Sequence, residues 1–178
     1  GTSAPEVKNG SAHREFTLSD KDFSFLTELT YQRTGIVLQA HKRDMVYGRL
    51  ARRLRTLGLD GFSEYCALLQ SEQGEEEMGP LVNALTTNLT RFFRENHHFE
   101  HLYEWLAPLA TSSPKRLRLW SAGCSSGMEA YSMAMVLDRA LKNSKRWDAK
   151  ILATDIDTKM LQTGRDGIYK ASDTEGVD

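Results

Sequence analysis

Apolar residues recur at helical spacing through the first half of the chain and give way to short alternating runs in the second. Ser19-Asp20-Lys21-Asp22 has the form of an N-cap followed by an acidic third residue. It predicts a helix with Phe23, Leu26 and Thr30 on one stripe and a stop at Gly35. Ile36-Val37-Leu38 leads into a second helix, 41–57, in which Val46, Leu50, Leu54 and Leu57 share one arc. Gly58 and Asp60-Gly61 end it, and 62–69 reads as a short amphipathic helix. An acidic, glycine-containing connection over 70–77 follows. Helical spacing resumes at Met78 through Leu81, Val82 and Leu85.

The pattern then breaks at Thr86-Thr87-Asn88-Leu89-Thr90-Arg91-Phe92-Phe93-Arg94. Threonine and asparagine favour caps and turns over helix interiors, and two adjacent phenylalanines cannot face one core stripe. The run reads either as a hinge after a helical unit or as a polar segment folded over a ligand. Beyond it the pattern predicts a helix over 95–109, a strand at 117–120, a helix over 127–141, a strand over 150–154, a helix over 158–165 and a polar tail.

The stretch around the first strand is the most suggestive. Leu117 to Trp120 breaks at once into Ser121-Ala122-Gly123-Cys124-Ser125-Ser126-Gly127 before the helix opens. In open α/β sheets ligands bind at the carboxyl ends of strands, where glycines let the backbone approach closely. The spacing is not G-x-G-x-x-G and contains no G-K-[ST], so neither a dinucleotide pyrophosphate nor a nucleoside triphosphate is the natural guest. A nucleoside without phosphate fits better. Asp155, at the tip of the second strand, suits the two hydroxyls of a ribose. An ordinary βαβ connection has the same outline.

Charge and composition narrow the partners. With 178 residues, 40% of them hydrophobic and 26% charged, the chain fits one globular domain or two small ones. Its net charge is only −1, so attraction to an acidic partner must come from a local patch. The helix over 41–57 offers one. Lys42, Arg49 and Arg53 fall on one arc with Arg52 beside them, which reads as a solvated face or as a docking surface for an acidic helix or a nucleic-acid backbone. The two cysteines, Cys66 and Cys124, have no ligand spacing and suit a reducing compartment. No apolar run reaches bilayer length and no signal pattern opens the chain, so a cytoplasmic location is expected. His97 and His98 point about 100° apart on a helix and there is no H-E-x-x-H, so no metal site is expected.

Four separated motifs, H-K-R-D-M-V-Y-x-R-L, A-L-T-T-N-L-T-R-F-F-R-E, W-S-A-G-C-S-S-G-M-E-A-Y-S and A-T-D-I-D, resemble in order and spacing the bacterial chemotaxis receptor methyltransferases, the CheR family. The resemblance implies an α/β protein: an all-helical N-terminal domain followed by the first part of a doubly wound, Rossmann-like domain that binds S-adenosylmethionine. The organisation expected is a tail over 1–15, a receptor-docking helical domain over 16–85, an inter-domain linker with cofactor contacts over 86–110 and a partial cofactor-binding domain over 111–178. Such domains have seven strands, and only two are found before Asp178. The chain is therefore expected to be the N-terminal portion of a longer protein whose activity needs the rest.

By position, the resemblance assigns cofactor contacts to Asn88, Thr90, Arg94, Glu129 and Asp155, and the glycine turn adds Gly123. Arg94 is also expected to orient the substrate carboxylate, and Lys42, Arg49, Arg52 and Arg53 to dock the receptor. The family's Gly-Glu-Glu-Pro stands here as Gly127-Met128-Glu129-Ala130, which keeps the second carboxylate and loses the first. The implied reaction methylates glutamate side chains on the cytoplasmic helices of chemotaxis receptors and leaves S-adenosylhomocysteine. The implied partners exclude nucleic acid and membrane insertion and include a possible regulatory adaptor. Two other readings stand beside it: a nucleic-acid methyltransferase, and a non-catalytic adaptor that binds the cofactor.

Overall fold

The computed structural model describes residues 14–113, 116–141 and 146–177. Of the tail expected over 1–15, all but Arg14 and Glu15 lies outside the described residues. The chain forms two compact units, 1–81 and 82–178.

The first unit is helical. Helix α1 (Asp20–Thr34) starts where expected, with Ser19 Oγ accepting the Asp22 N–H at 3.1 Å. It ends at Gly35, whose φ of 75° closes the last turn onto the Tyr31 carbonyl. Its buried stripe is Asp22, Leu26 and Thr30. Phe23 is half-buried instead, under the Arg43 guanidinium. The buried polar groups are satisfied locally: Asp22 also accepts from Ser63 at 3.2 Å, and Thr30 donates to the Leu26 carbonyl at 2.6 Å.

Helix α2 (Arg43–Leu57) buries Val46, Leu50, Ala51 and Leu54. Ala40–Lys42 forms a 3₁₀ turn ahead of it, so Lys42 lies outside the α-helix on which its arc was drawn. Helix α3 (Phe62–Gln70) buries Phe62, Tyr65, Cys66 and Leu69. Burial pushes the Cys66 thiol up to about 12, with nearby Asp22 adding to the shift, which suits packing and not chemistry.

Helix α4 (Gly74–Leu85) corrects the expected connection over 70–77. It begins four residues before Met78 because Glu75, Glu76 and Glu77 occupy its first turn, where carboxylates complement the positive end of the helix dipole. Gly74 makes the entry possible. A Cβ there would lie 2.3 Å from the Leu69 carbonyl oxygen. The division between the two units falls inside this helix.

Arg53 is placed differently from its expected role. Its guanidinium forms a two-pronged pair with Glu77, both contacts at 2.6 Å, and Tyr65 donates to the same carboxylate at 2.8 Å. Glu77 is buried, so the charge of Arg53 is taken up inside the unit and not offered on a basic face. Removing one partner of a buried pair leaves the other unsolvated. Arg53→Ala is expected to lower the stability of the helical unit by about 2–4 kcal/mol. Arg52→Ala, at an exposed position, should leave it unchanged within about 0.5 kcal/mol. Thermal melts followed by far-ultraviolet circular dichroism would check both.

The second unit is built on two parallel strands, β1 (Arg116–Ala122) and β2 (Asp148–Thr154), in register from Arg116 opposite Asp148 to Ala122 opposite Thr154. Helices α5 (His97–Leu106) and α6 (Met128–Ala140) pack with one face of the sheet around Phe99, Leu106, Leu117, Val136 and Leu137. On the other face Trp120 and Leu152 are exposed beside Arg118 and Lys150. Helix α7 (Thr158–Asp166) follows β2. Among the described residues, no helix is long and apolar enough to cross a membrane.

Candidate functional site

The loop between β1 and α6 is shaped by its pairing with the end of β2. Both the Gly123 and the Cys124 N–H donate to the Thr154 carbonyl at 2.8 Å, which turns the chain off the strand. Gly123, Ser125 and Gly127 then have φ of 77°, 49° and 89°, alternating left-handed residues that keep the turn tight. At Gly127 the reason for glycine is contact as well as φ. A Cβ there would lie 3.0 Å from the Gly164 Cα and 3.2 Å from the Tyr169 hydroxyl, so α7 seats directly against the loop. Tyr169 donates to the Ser126 carbonyl at 2.6 Å and Tyr131 to that of Gly164 at 2.9 Å.

The segment 86–96 is neither helix nor strand, with Phe93 and Glu95 at positive φ. Its adjacent phenylalanines part as their spacing requires: Phe92 packs edge-on against Tyr169, and Phe93 against Phe99. The Phe93 N–H donates to Ser132 Oγ at 3.0 Å. This seats the segment beside the glycine loop around a concavity of about 250 Å³. Thr90 and Arg94 line it from one side, Gly123 and Ser125 from the loop, Glu129 from α6 and Phe99 from α5.

The six expected cofactor contacts do not all sit alike. Thr90, Arg94, Gly123 and Glu129 come together on this concavity. Glu129 is held by the buried Ser121, whose hydroxyl donates to its carboxylate at 2.5 Å. Arg94 is exposed, and one guanidinium nitrogen donates to the Leu89 carbonyl at 2.6 Å. Asp155 does not line the concavity and adjoins it only through Ser125, whose N–H it accepts at 2.7 Å; its other oxygen accepts the Asp157 N–H at 2.8 Å. Asn88 is not on the lining. Its amide donates to Asp157 at 2.7 Å.

Four polar groups escaped the reading from sequence: Ser121, Ser125, Ser132 and Asp157. Two had a usable signal. Alternation along Leu117, Leu119 and Ser121 puts a serine on the buried face of a strand, where it must find a partner. Asp157 before Thr158-Lys159-Met160 has the form of a helix cap. Burial pushes the Asp157 carboxyl up, but hydrogen bonds from Thr86, the Met160 N–H, Asn88 and the Lys159 N–H outweigh it and hold the group below the usual carboxylate range. Cys124 is buried within the loop, and burial, with Asp155 nearby, raises its thiol.

The donor set suits a zwitterionic nucleoside. Ser125 is a lining residue of the concavity, and its buried hydroxyl has no hydrogen-bond partner among the described residues, a polar group left for a ligand to satisfy. Carboxylates at Glu129 and Asp155 supply acceptors for ammonium and hydroxyl groups. These residues fit S-adenosylmethionine.

Comparison with known proteins agrees. Residues 88–178 match the family model of the CheR methyltransferase SAM binding domain, and residues 21–86 that of the CheR methyltransferase all-alpha domain. The class of the second unit is thus an S-adenosylmethionine-binding methyltransferase domain. The chain is 49% identical over 161 residues to the chemotaxis protein methyltransferase of Salmonella typhimurium, covering 90% of this chain and 54% of that protein. It is 48% identical over the same length to that of Escherichia coli, with the same coverage. To chemotaxis protein methyltransferase 2 of Pseudomonas aeruginosa it is 46% identical over 168 residues, 94% of this chain and 58% of that one. The chain belongs to the CheR methyltransferase family, and it spans about half the length of the curated relatives it matches.

Proposed function

We propose that this chain is the cofactor-binding and receptor-docking portion of a cytoplasmic protein-glutamate O-methyltransferase that acts on chemotaxis receptors. One observation carries the reading: Thr90 and Arg94 share a concavity with Gly123, Ser125 and Glu129. The names of the relatives support the same reading.

S-adenosylmethionine supplies an electrophilic methyl group on a sulfonium and leaves as a neutral thioether. The substrate glutamate is ionised near neutral pH and is its own nucleophile, so no general base is required. The protein's part is alignment and exclusion of water. The Arg94 guanidinium, at the rim of the concavity, matches the planar geometry of a carboxylate and would hold it in line with the methyl–sulfur bond. Glu129 and Asp155 would receive the ammonium and the ribose. Lys42, Arg49 and Arg52 would meet an acidic receptor helix, screened by salt. Arg53, bound to Glu77, is left out of that face.

Methyl transfer from labelled S-adenosylmethionine to a receptor cytoplasmic fragment, using the protein carried to the length of its relatives, tests the reading. Base-labile label on receptor glutamates is expected. Arg94→Lys, which keeps charge but loses the fork, should lower the transfer rate by about a hundredfold. Label on nucleic acid, or no binding of S-adenosylhomocysteine at all, would overturn the assignment.

A further inference from the structure

We propose that Asp157, two residues beyond the carboxylate expected at the ribose, is a positioning residue that braces the segment 86–96 against the ligand site. The inference rests on the reading of the concavity as a cofactor site.

The two oxygens of Asp157 have separate duties. Oδ1 accepts the Lys159 and Met160 N–H groups at 3.0 and 3.2 Å, the ordinary work of a helix cap. Oδ2 takes no part in the cap and accepts the Thr86 hydroxyl at 2.8 Å and the Asn88 amide at 2.7 Å, groups about seventy residues earlier in the chain. A cap alone needs nothing on that side. Asp157 is 2% exposed and Thr86 and Asn88 are half-buried, so these are partly buried, charge-assisted bonds, stronger than the same contacts between neutral groups. The neighbouring pair repeats the tie: Asn83 donates to Thr158 Oγ1 at 3.0 Å and accepts the Thr158 N–H at 3.2 Å.

The geometry makes this brace part of the site. The segment is fixed at residues 86 and 88 by Asp157 and at residue 93 by Ser132. Thr90 lies between these anchors and Arg94 directly after them, both on the concavity. The Asp157 N–H also donates to Asp155, whose other oxygen holds the Ser125 N–H of the glycine loop. One short stretch after β2 therefore sets both walls of the site. Asn88, which the family resemblance casts as a cofactor contact, is in this arrangement held by the brace.

Asp157→Asn separates the brace from the cap. Asparagine caps a helix as well as aspartate does, so α7 should survive, but the charge is lost and Asn88 can accept from the new amide only by turning over and giving up its own donor contacts to residues 157 and 86. Asn88→Asp sets carboxylate against carboxylate, and the double exchange restores one carboxylate and one amide. Amide hydrogen exchange should accelerate about tenfold or more over 86–96 in each single variant, stay slow over 158–166 in Asp157→Asn, and return toward wild type in the double variant. Calorimetry with S-adenosylhomocysteine should show about tenfold weaker binding for Asp157→Asn. Unchanged exchange over 86–96 would overturn the brace. Faster exchange with affinity within about twofold of wild type would overturn its positioning role. If the wild-type protein, carried to the length of its relatives, fails to bind, the cofactor reading fails, and the exchange data still decide whether the brace exists.

Discussion

Asp155→Ala is expected to weaken binding of S-adenosylhomocysteine by about a hundredfold, the loss of two hydroxyl-to-carboxylate hydrogen bonds at about 1.5 kcal/mol each. The carboxylate is already oriented from behind by the Ser125 and Asp157 N–H groups, at 2.7 and 2.8 Å. A group held in this way loses little freedom when a ligand arrives, which favours affinity. Asp155→Asn retains one acceptor oxygen and should lose about tenfold. Asp166, exposed at the end of α7 and remote from the loop in sequence, provides the control: Asp166→Ala should leave the affinity unchanged. Calorimetric titration of the four proteins checks the set. An Asp155→Ala affinity within about threefold of wild type would remove the ribose from this carboxylate.

Gly127→Ala should destabilise the second unit by about 2–5 kcal/mol, combining about 1–2 kcal/mol for a left-handed alanine with about 1–3 kcal/mol for overpacking. The methyl group would meet the Gly164 Cα at 3.0 Å and the Tyr169 hydroxyl at 3.2 Å, both parts of the packing that seats α7. Gly123→Ala has a similar φ of 77° but opens onto space with no atom within 4 Å, so only the backbone cost of about 1–2 kcal/mol should appear. The difference between the two variants isolates the close contact. Trp105, Trp120 and Trp147, all the tryptophans of the chain, lie in the second unit, so urea unfolding followed by tryptophan fluorescence reports on that unit alone. Equal losses in both variants would mean that the loop gives way around the methyl group.

The helical stripes, the two strands and the glycine turn were legible because each depends on residues a few positions apart. Ser19 caps its own helix, Gly35 and Gly58 close theirs, and burial follows the 3.6-residue period at Val46, Leu50 and Leu54. The start of α4 was less legible, because three glutamates read as a solvated connection until they are seen at the positive end of a helix dipole. The position of Arg53 was hidden for a related reason. Helical spacing puts it beside Lys42 and Arg49, but it cannot reveal a buried carboxylate at Glu77 arriving from another helix.

The sequence by itself determined the elements, the turn after Trp120 and the family, since these are carried by short motifs and their order. Asp155 was already singled out by its place at the strand tip; only the tertiary structure decided that Asp157 holds Thr86 and Asn88. The physical reason is that a carboxylate's role is set by the donors around it, and here those donors come from segments that are distant along the chain and adjacent only once it has folded.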